Sequence, residues 1–326
     1  MGRKGKGEGT VKKHLMVVIL CLISFLGGWF FHYLYPTSKP SLGVREFQRW
    51  ELKKKLKLAE GKFSEITVIE EKDMGSYTVR LLRFLWQGFS FDAYLLIPKK
   101  KAEKVAAILA LHGHKTTKDD VVGIKRSRFN VDFGRRLVES GFCVLVPDII
   151  FSEDFDVEDH VALNLIMSGG HITGLRLSYL QSLLDYLCSL PFVDSKKVGC
   201  VGWSMGGGLA LYLAAVDKRL KVVEISNYFG TYRGTFMRKR RSIDNYIPDI
   251  LSFGEMADVA CLIAPRPLLI EGGKRDPEFP KEAFMQGVKA LKNCYKGHEE
   301  RLTWQLMPGG HRFEGKGIEE WFKKWL

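Results

Sequence analysis

From Lys104 onward, short apolar runs alternate with segments whose leucines recur every three or four residues. "VAAILALHG" (105–113) and "FCVLVPD" (142–148) are continuous apolar runs of buried-strand type. Between them "VDFGRRLVESG" (131–141) reads as a helix closed at Gly141. "ITGLRLSYLQSLLDYLCSL" (172–190) predicts a long helix that stops before Pro191, and the strand "KVGCVGWS" (197–204) follows it. Further strands are predicted over 220–228, 266–273 and 301–310, separated by helices over 280–293 and 318–326. This alternation predicts an α/β fold whose sheet is mainly parallel, twisted and covered by helices on both faces. Upstream, "ITVIEEK" (66–72) and a hairpin over 77–98 that turns near Gln87-Gly88 predict an antiparallel start. One interval, 229–265, is too long for an ordinary connection and predicts a cap insertion.

The amino-terminal region has a different pattern. Between Leu15 and Tyr35 only Ser24 and His32 interrupt an apolar run, long enough to cross a hydrocarbon layer of about 30 Å. Trp29, Tyr33 and Tyr35 suit an interfacial belt, and no small-residue cleavage site follows, so the segment reads as an uncleaved transmembrane helix, not a signal peptide. The predicted order is a basic tail (1–14), an anchor (15–35), a basic amphipathic linker or helix (36–65) and a catalytic domain (66–326). Membrane lipid is therefore an expected partner. Arg3, Lys4, Lys6, Lys12 and Lys13 favour a cytoplasmic amino terminus and hence an extracytoplasmic domain, although Lys39, Arg45, Arg49 and Lys53 to Lys55 oppose that bias.

The formal charge of +13 would suit nucleic acid, but much of it flanks the apolar segment and no aromatic-and-basic recognition motif accompanies it. The run Arg238 to Arg241 reads first as a solvated face, with substrate binding as the alternative. Cys143 and Cys200 lie in strand-like runs and read as buried thiols; no cysteine pairing or metal-like spacing is visible.

Candidate chemistry begins at Gly202-Trp203-Ser204-Met205-Gly206, a G-x-S-x-G sequence where a buried strand runs directly into a helix. So tight a reversal strains the serine backbone and leaves no room for neighbouring side chains, which is why glycines surround it. The turn would present the Ser204 hydroxyl above the sheet. A serine needs a base, and the base an orienting carboxylate. Asp276, past the 266–273 strand, and His311, past the last strand, fall in the required order. Glu271 is a reserve acid. The backbone N–H groups of Met205 and His114 are expected to form the oxyanion hole. A competing metal reading would gather His112, His114, His160, His171 and Asp276, but it leaves the elbow serine without a purpose; no metal or cofactor is predicted. Arg176 on the long helix is expected to pair with Asp148 in a structural role.

At these residues the chain resembles the α/β-hydrolase superfamily, in its dienelactone hydrolase-like and acetyl xylan esterase-like branch. The likeness runs from about Tyr77 to the carboxyl end and rests on "LALHGHK", "VPD", "GWSMGGG", "NYIPDIL", "LIAPRPLLIEGGKRDPEFP" and "GGH". It implies a serine esterase of small acyl or carbohydrate esters: Ser204 attacks, His311 moves the proton, Asp276 orients His311, and residues 229–265 form a cap. Dienelactone hydrolases proper use cysteine where this chain has Ser204. Two alternatives stand beside it. A prolyl-oligopeptidase-type peptidase would need a propeller that the residues after the anchor are too few to build, and an inactive hydrolase fold would serve as a binding module.

Overall fold

In the computed structural model, which describes residues 42–99, 103–125 and 127–326, nine strands share one sheet. After helix α1 (Leu42–Lys55) come β1 (Phe63–Asp73), β2 (Tyr77–Trp86), β3 (Phe89–Pro98) and β4 (Val105–Leu111). The short α2 (Lys118–Val121) and α3 (Phe133–Glu139) precede β5 (Cys143–Pro147), α4 (Phe155–Met167), α5 (Ile172–Ser189) and β6 (Val193–Trp203). Then follow α6 (Met205–Val216), β7 (Leu220–Ser226), the short α7 (Ile250–Phe253) and α8 (Met256–Cys261), β8 (Leu268–Gly273), α9 (Lys281–Leu291), β9 (Leu302–Met307) and α10 (Ile318–Trp325). The strand order is β1-β2-β3-β5-β4-β6-β7-β8-β9. Pairings from β1 to β5 are antiparallel through β3, and those from β5 to β9 are parallel.

Alternation along the central strands explains the layers. In β4, Ala107, Leu109 and Leu111 face one core, while Ile108 and Ala110 face the other. In β6, Val198 and Cys200 face the first, and Val201 and Trp203 the second. Helices α5 and α6 cover the first face and α3 and α10 the second, so strands apolar on both sides are buried on both sides. Parallel register brings strand ends to one rim: Leu111 pairs with Gly202, Trp203 with Ser226, and Ser226 with Glu271. The residues that follow those ends therefore emerge together.

The expected anchor (15–35) and basic tail lie outside the described residues; among the described residues no helix is long and apolar enough to cross a membrane. The segment 36–65, read as a linker or helix, is from Leu42 a helix that belongs to the compact unit 43–326. Its Leu52 and Leu56 are fully buried. Arg49 donates to the carbonyls of Ala215 and Leu262, and Arg45 donates to Ala264 at 2.9 Å, so cations meet buried carbonyls at and just beyond the carboxyl ends of α6 and α8. Between β5 and α5, the periodicity missed the 13-residue α4; Asp154 caps it by accepting from the N–H groups of Asp156 and Val157.

One covalent link corrects the sequence reading. Cys261 at the end of α8 is disulfide-bonded to Cys294, with Cα atoms 5.5 Å apart across a separation of 33 residues. Cys143 and Cys200 are buried, as expected, and burial pushes the Cys200 thiol well above its usual range. Chain-entropy considerations for a loop of this length give the disulfide about 4 kcal/mol. Reduction, or Cys261→Ser with Cys294→Ser, is expected to lower the urea midpoint accordingly; an unchanged midpoint contradicts the linkage.

Candidate active site

At the end of β6 the backbone turns through Ser204 at φ 53°, ψ −122°, and enters α6 at Met205. A non-glycine residue there is strained by roughly 1–3 kcal/mol and must be held from outside. Its N–H donates to Ser226 O at 2.8 Å, fixing the elbow to the end of β7. The surrounding glycines allow close backbone approach. A Cβ on Gly202 would lie 2.0 Å from Gly206 O, and one on Gly206 would lie 2.2 Å from Leu111 O. Neither position can carry a side chain without pushing the helix off the sheet.

The half-buried Ser204 Oγ lies 2.8 Å from His311 Nε2, and His311 Nδ1 lies 2.9 Å from Asp276 Oδ2. With Nδ1–H donating to the carboxylate, Nε2 is left to accept from the serine hydroxyl. The structure thus brings together three residues that are 72 and 35 positions apart in sequence order. The imidazole is flanked by Trp203, 5.4 Å between ring centres, and by Phe279, 6.1 Å away and nearly parallel.

Asp276 is buried and accepts four bonds. Besides His311, Asn227 Nδ2 donates to Oδ2 at 2.9 Å, and the N–H groups of Glu278 and Phe279 donate to Oδ1 at 2.8 and 3.1 Å. Burial works to raise this carboxyl, but the His311 bond and charge, with Asn227 and Phe279 N–H, outweigh it and hold it below the usual carboxylate range. Asn227 was not identified from sequence. Its position directly after β7, one residue beyond the carbonyl that holds Ser204, is the signal that would have found it.

Glu271, the reserve acid, does not reach His311. It accepts from Ser226 Oγ at 3.0 Å and from the N–H groups of Glu314 and Gly315, each at 2.9 Å, and so clamps the loop following His311. Met205 opens α6, where its N–H has no acceptor within the helix. His114 follows β4 beside it, and both residues line the cavity above Ser204.

The histidines of the metal reading are not gathered. His112 Nε2 accepts from Ile149 N–H at 3.0 Å while Nδ1 lies 3.0 Å from Gly113 O; burial lowers it to about 4, so it is a neutral brace between two loops. His171 caps α5 by accepting from Gly174 N–H, and His160 is exposed on α4. His114 instead joins a different cluster. Its Nε2 lies 3.2 Å from both Glu158 oxygens and 3.6 Å from Asp244 Oδ2. One nitrogen of Arg176 lies 2.8 Å from Glu158 and 3.2 Å from Asp244. His114, Glu158 and Asp244 have metal-like spacing, within 4.8 Å of one another, but Arg176 and His114 already answer both carboxylates.

This cluster corrects the expected Arg176–Asp148 pair. Asp148 bonds Lys118 at 2.6 Å instead, while Arg176 also donates to the carbonyls of Ile150 and Phe151. The Arg176 side chain instead reaches the acids of α4 and of the β7–β8 connection, residues that no periodicity marks. Burial opposes the charged form of His114, but Asp244 and Glu158 outweigh it and raise the imidazole above its ordinary value. Its stabilising effect is therefore complete below the unfolded value of about 6.5 and is lost as pH climbs through the raised folded value. Arg176→Met should cost about 3 kcal/mol of stability in urea titrations, as expected when a buried pair loses one partner. His114→Gln should flatten the fall in stability above neutral pH; an unaltered slope contradicts the assigned cause.

The family model described as "Dienelactone hydrolase family" matches residues 91–299. A Bacillus subtilis protein described as "Putative hydrolase YtaP" is 27% identical over 252 residues, covering 72% of this chain and 83% of its own. Among solved structures, a "putative acetyl xylan esterase" from Bacteroides fragilis superposes with a TM-score of 0.71 at 15% identity over 86% of each chain. A glucuronoyl esterase from Solibacter usitatus gives 0.65 at 15% identity over 84% of this chain and 90% of its own. Those structures share the α/β-hydrolase fold. The elbow on β6, the loops after β8 and β9 and a model match across most of the sheet lead to one conclusion: the chain belongs to the dienelactone hydrolase family.

Proposed function

We propose that the protein is a serine esterase that cleaves small acyl esters through an acyl-enzyme on Ser204. The observation that carries this reading is the continuous line from Ser204 Oγ through His311 to buried Asp276, beneath a cavity of about 580 Å³. Family membership and the esterase names of the structural neighbours support it.

In this mechanism His311 Nε2 takes the Ser204 proton as Oγ attacks the ester carbonyl. Asp276 holds the ring and stabilises the imidazolium that forms. The oxyanion is met by the N–H groups of Met205 and His114, and the start of α6 adds its partial positive charge. His311 returns the proton to the leaving alcohol. Water, activated by the same ring, then releases the acid. The long β7–β8 connection acts as the cap: Phe236, Ser242 and Asn245 from it line the cavity.

Ser204→Ala and Asp276→Asn are the decisive variants. With p-nitrophenyl acetate, each is expected to lower kcat by about 10³-fold or more with little change in KM. Turnover by Ser204→Ala equal to wild type overturns the reading.

For location we propose a membrane-anchored, extracytoplasmic domain, a reading that separate observations support. The apolar segment 15–35 anchors the protein, and the domain stands outside the cytoplasm. The Cys261–Cys294 disulfide fits an oxidising compartment. Protease added to intact cells is expected to remove the domain; its survival there, with loss only after lysis, would place it inside.

A further inference from the structure

The Arg238–Arg241 run, read from sequence as a solvated face with substrate binding as the alternative, reaches the cavity. Lys239, Arg240 and Arg241 line it together with Lys115 from the loop after β4 and Arg128 from the loop before α3. Three separate chain segments therefore turn cations toward one opening. Glu278 is the one carboxylate among the lining residues, and it is already bonded to Arg241.

The others are unanswered. Among the described residues no carboxylate pairs with Lys115, Arg128, Lys239 or Arg240; the Arg128 guanidinium rests over the Phe129 ring, 4.8 Å from its centre. Most described arginines elsewhere hold a carboxylate or a backbone carbonyl, as Arg83, Arg136, Arg219 and Arg266 do. Like charges converging on a cleft with apolar walls repel one another and focus a positive potential, an arrangement that an arriving anion relieves. A single charge would leave most of them unanswered, so the complementary ligand carries several.

The cavity walls identify its other half. Phe129, Phe155, Trp203, Tyr228, Phe236 and Phe279 supply flat apolar surface suited to the faces of sugar rings. Aromatic walls below a cationic rim suit a ring-bearing polyanion better than a flexible chain of phosphates. Guanidinium groups also match carboxylates in shape and hydrogen bonding.

We propose that the cavity rim is an anion-binding subsite and that the ester cleaved at Ser204 is an O-acyl group on an acidic, carboxylate-bearing sugar chain. This rests on the esterase reading for the reaction but not for the binding. Arg128, Lys239, Arg240 and Lys115 hold the carboxylates of the sugars flanking the acylated one. They act on selection, and the bond cleaved remains the acyl ester.

The test compares acetate release by the full chain from O-acetylated polygalacturonate and from the same polymer fully methyl-esterified, alike in ring and acetyl content but different in charge. The charged form should be preferred in kcat/KM by about tenfold or more at low salt, and the preference should largely collapse at about 0.5 M NaCl. Arg240→Glu and Arg128→Glu should each reduce the ratio between the two substrates about tenfold. Lys196→Glu, near the opposite end of β6 from Ser204, changes the net charge equally and should leave the ratio alone. Equal rates on both polymers, or a ratio indifferent to salt and to the rim reversals, overturn the proposal. Should wild type and Ser204→Ala release acetate equally, the esterase reading fails, and calorimetric titration with unacetylated oligogalacturonate decides the subsite separately. Saturable binding lost in Arg240→Glu upholds it, and absence of binding sinks it.

Discussion

The hydrogen bond from Ser204 N–H to the carbonyl of Ser226 carries the constraint on which the rim depends. A serine at φ 53° is unstable on local grounds, and this bond ties its strained turn to the adjacent strand end. The glycines permit the tie by letting α6 begin against β4 and β6, where Gly206 lies under the carbonyl of Leu111. Asn227 extends the arrangement by one residue. Its N–H reaches Glu271 O on the next strand, while its side chain holds Asp276. The strained turn at Ser204 is thus held by the same strand ends that aim the carboxylate toward His311.

Much of this was legible because it is written in local pattern. Apolar runs of strand length between helical periods gave the parallel half of the sheet, and a serine between glycines at a strand end gave the elbow. Asp276 and His311 were legible through chain order, since each follows a strand whose end reaches the rim. Contacts between segments without periodic signal were not. Glu158 lies on a helix with a weakly amphipathic pattern, and Asp244 sits in the long β7–β8 connection, so neither stands out in sequence as the partner of Arg176. The disulfide was hidden for a related reason: Cys261 and Cys294 carry no motif, and only the packing of α8 against the segment after α9 brings them together.

Two sets of charges a few residues apart in the chain receive opposite treatment. Asp244 is buried, and its charge is answered at once by Arg176 and His114, because an unpaired ion in a low-dielectric interior is costly. Lys239 and Arg240, slightly earlier in the same connection, remain in solvent at the cavity mouth without a carboxylate partner. The buried acid ties the connection to α4 and α5; the exposed cations use the position so secured. Rigid placement makes an array of like charges selective, since a mobile run would spread its charge over the surface.

Helix α1 extends the same logic to the far end of the molecule. Ser204 stands at the amino end of α6, and Arg49 meets the carbonyl of Ala215 in the last turn of that helix. The final residues of α1 touch the connection as well, through Lys55 to Asp249 at 2.6 Å, and the start of α5, where Lys55 O lies 3.2 Å from His171 Nε2. A Cβ on Gly174 would come within 1.9 Å of Leu56 O, so the backbone after α1 lies directly on the first turn of the helix that carries Arg176. A segment that looks like a linker from its charge therefore braces both the helix behind the serine and the helix beneath the buried clasp. The cationic residues along α1 have two distinct tasks. Those at 45, 49 and 55 face inward to carbonyls and a carboxylate, and only the remainder are available to solvent, so net charge alone says little about which surface of such a helix is free.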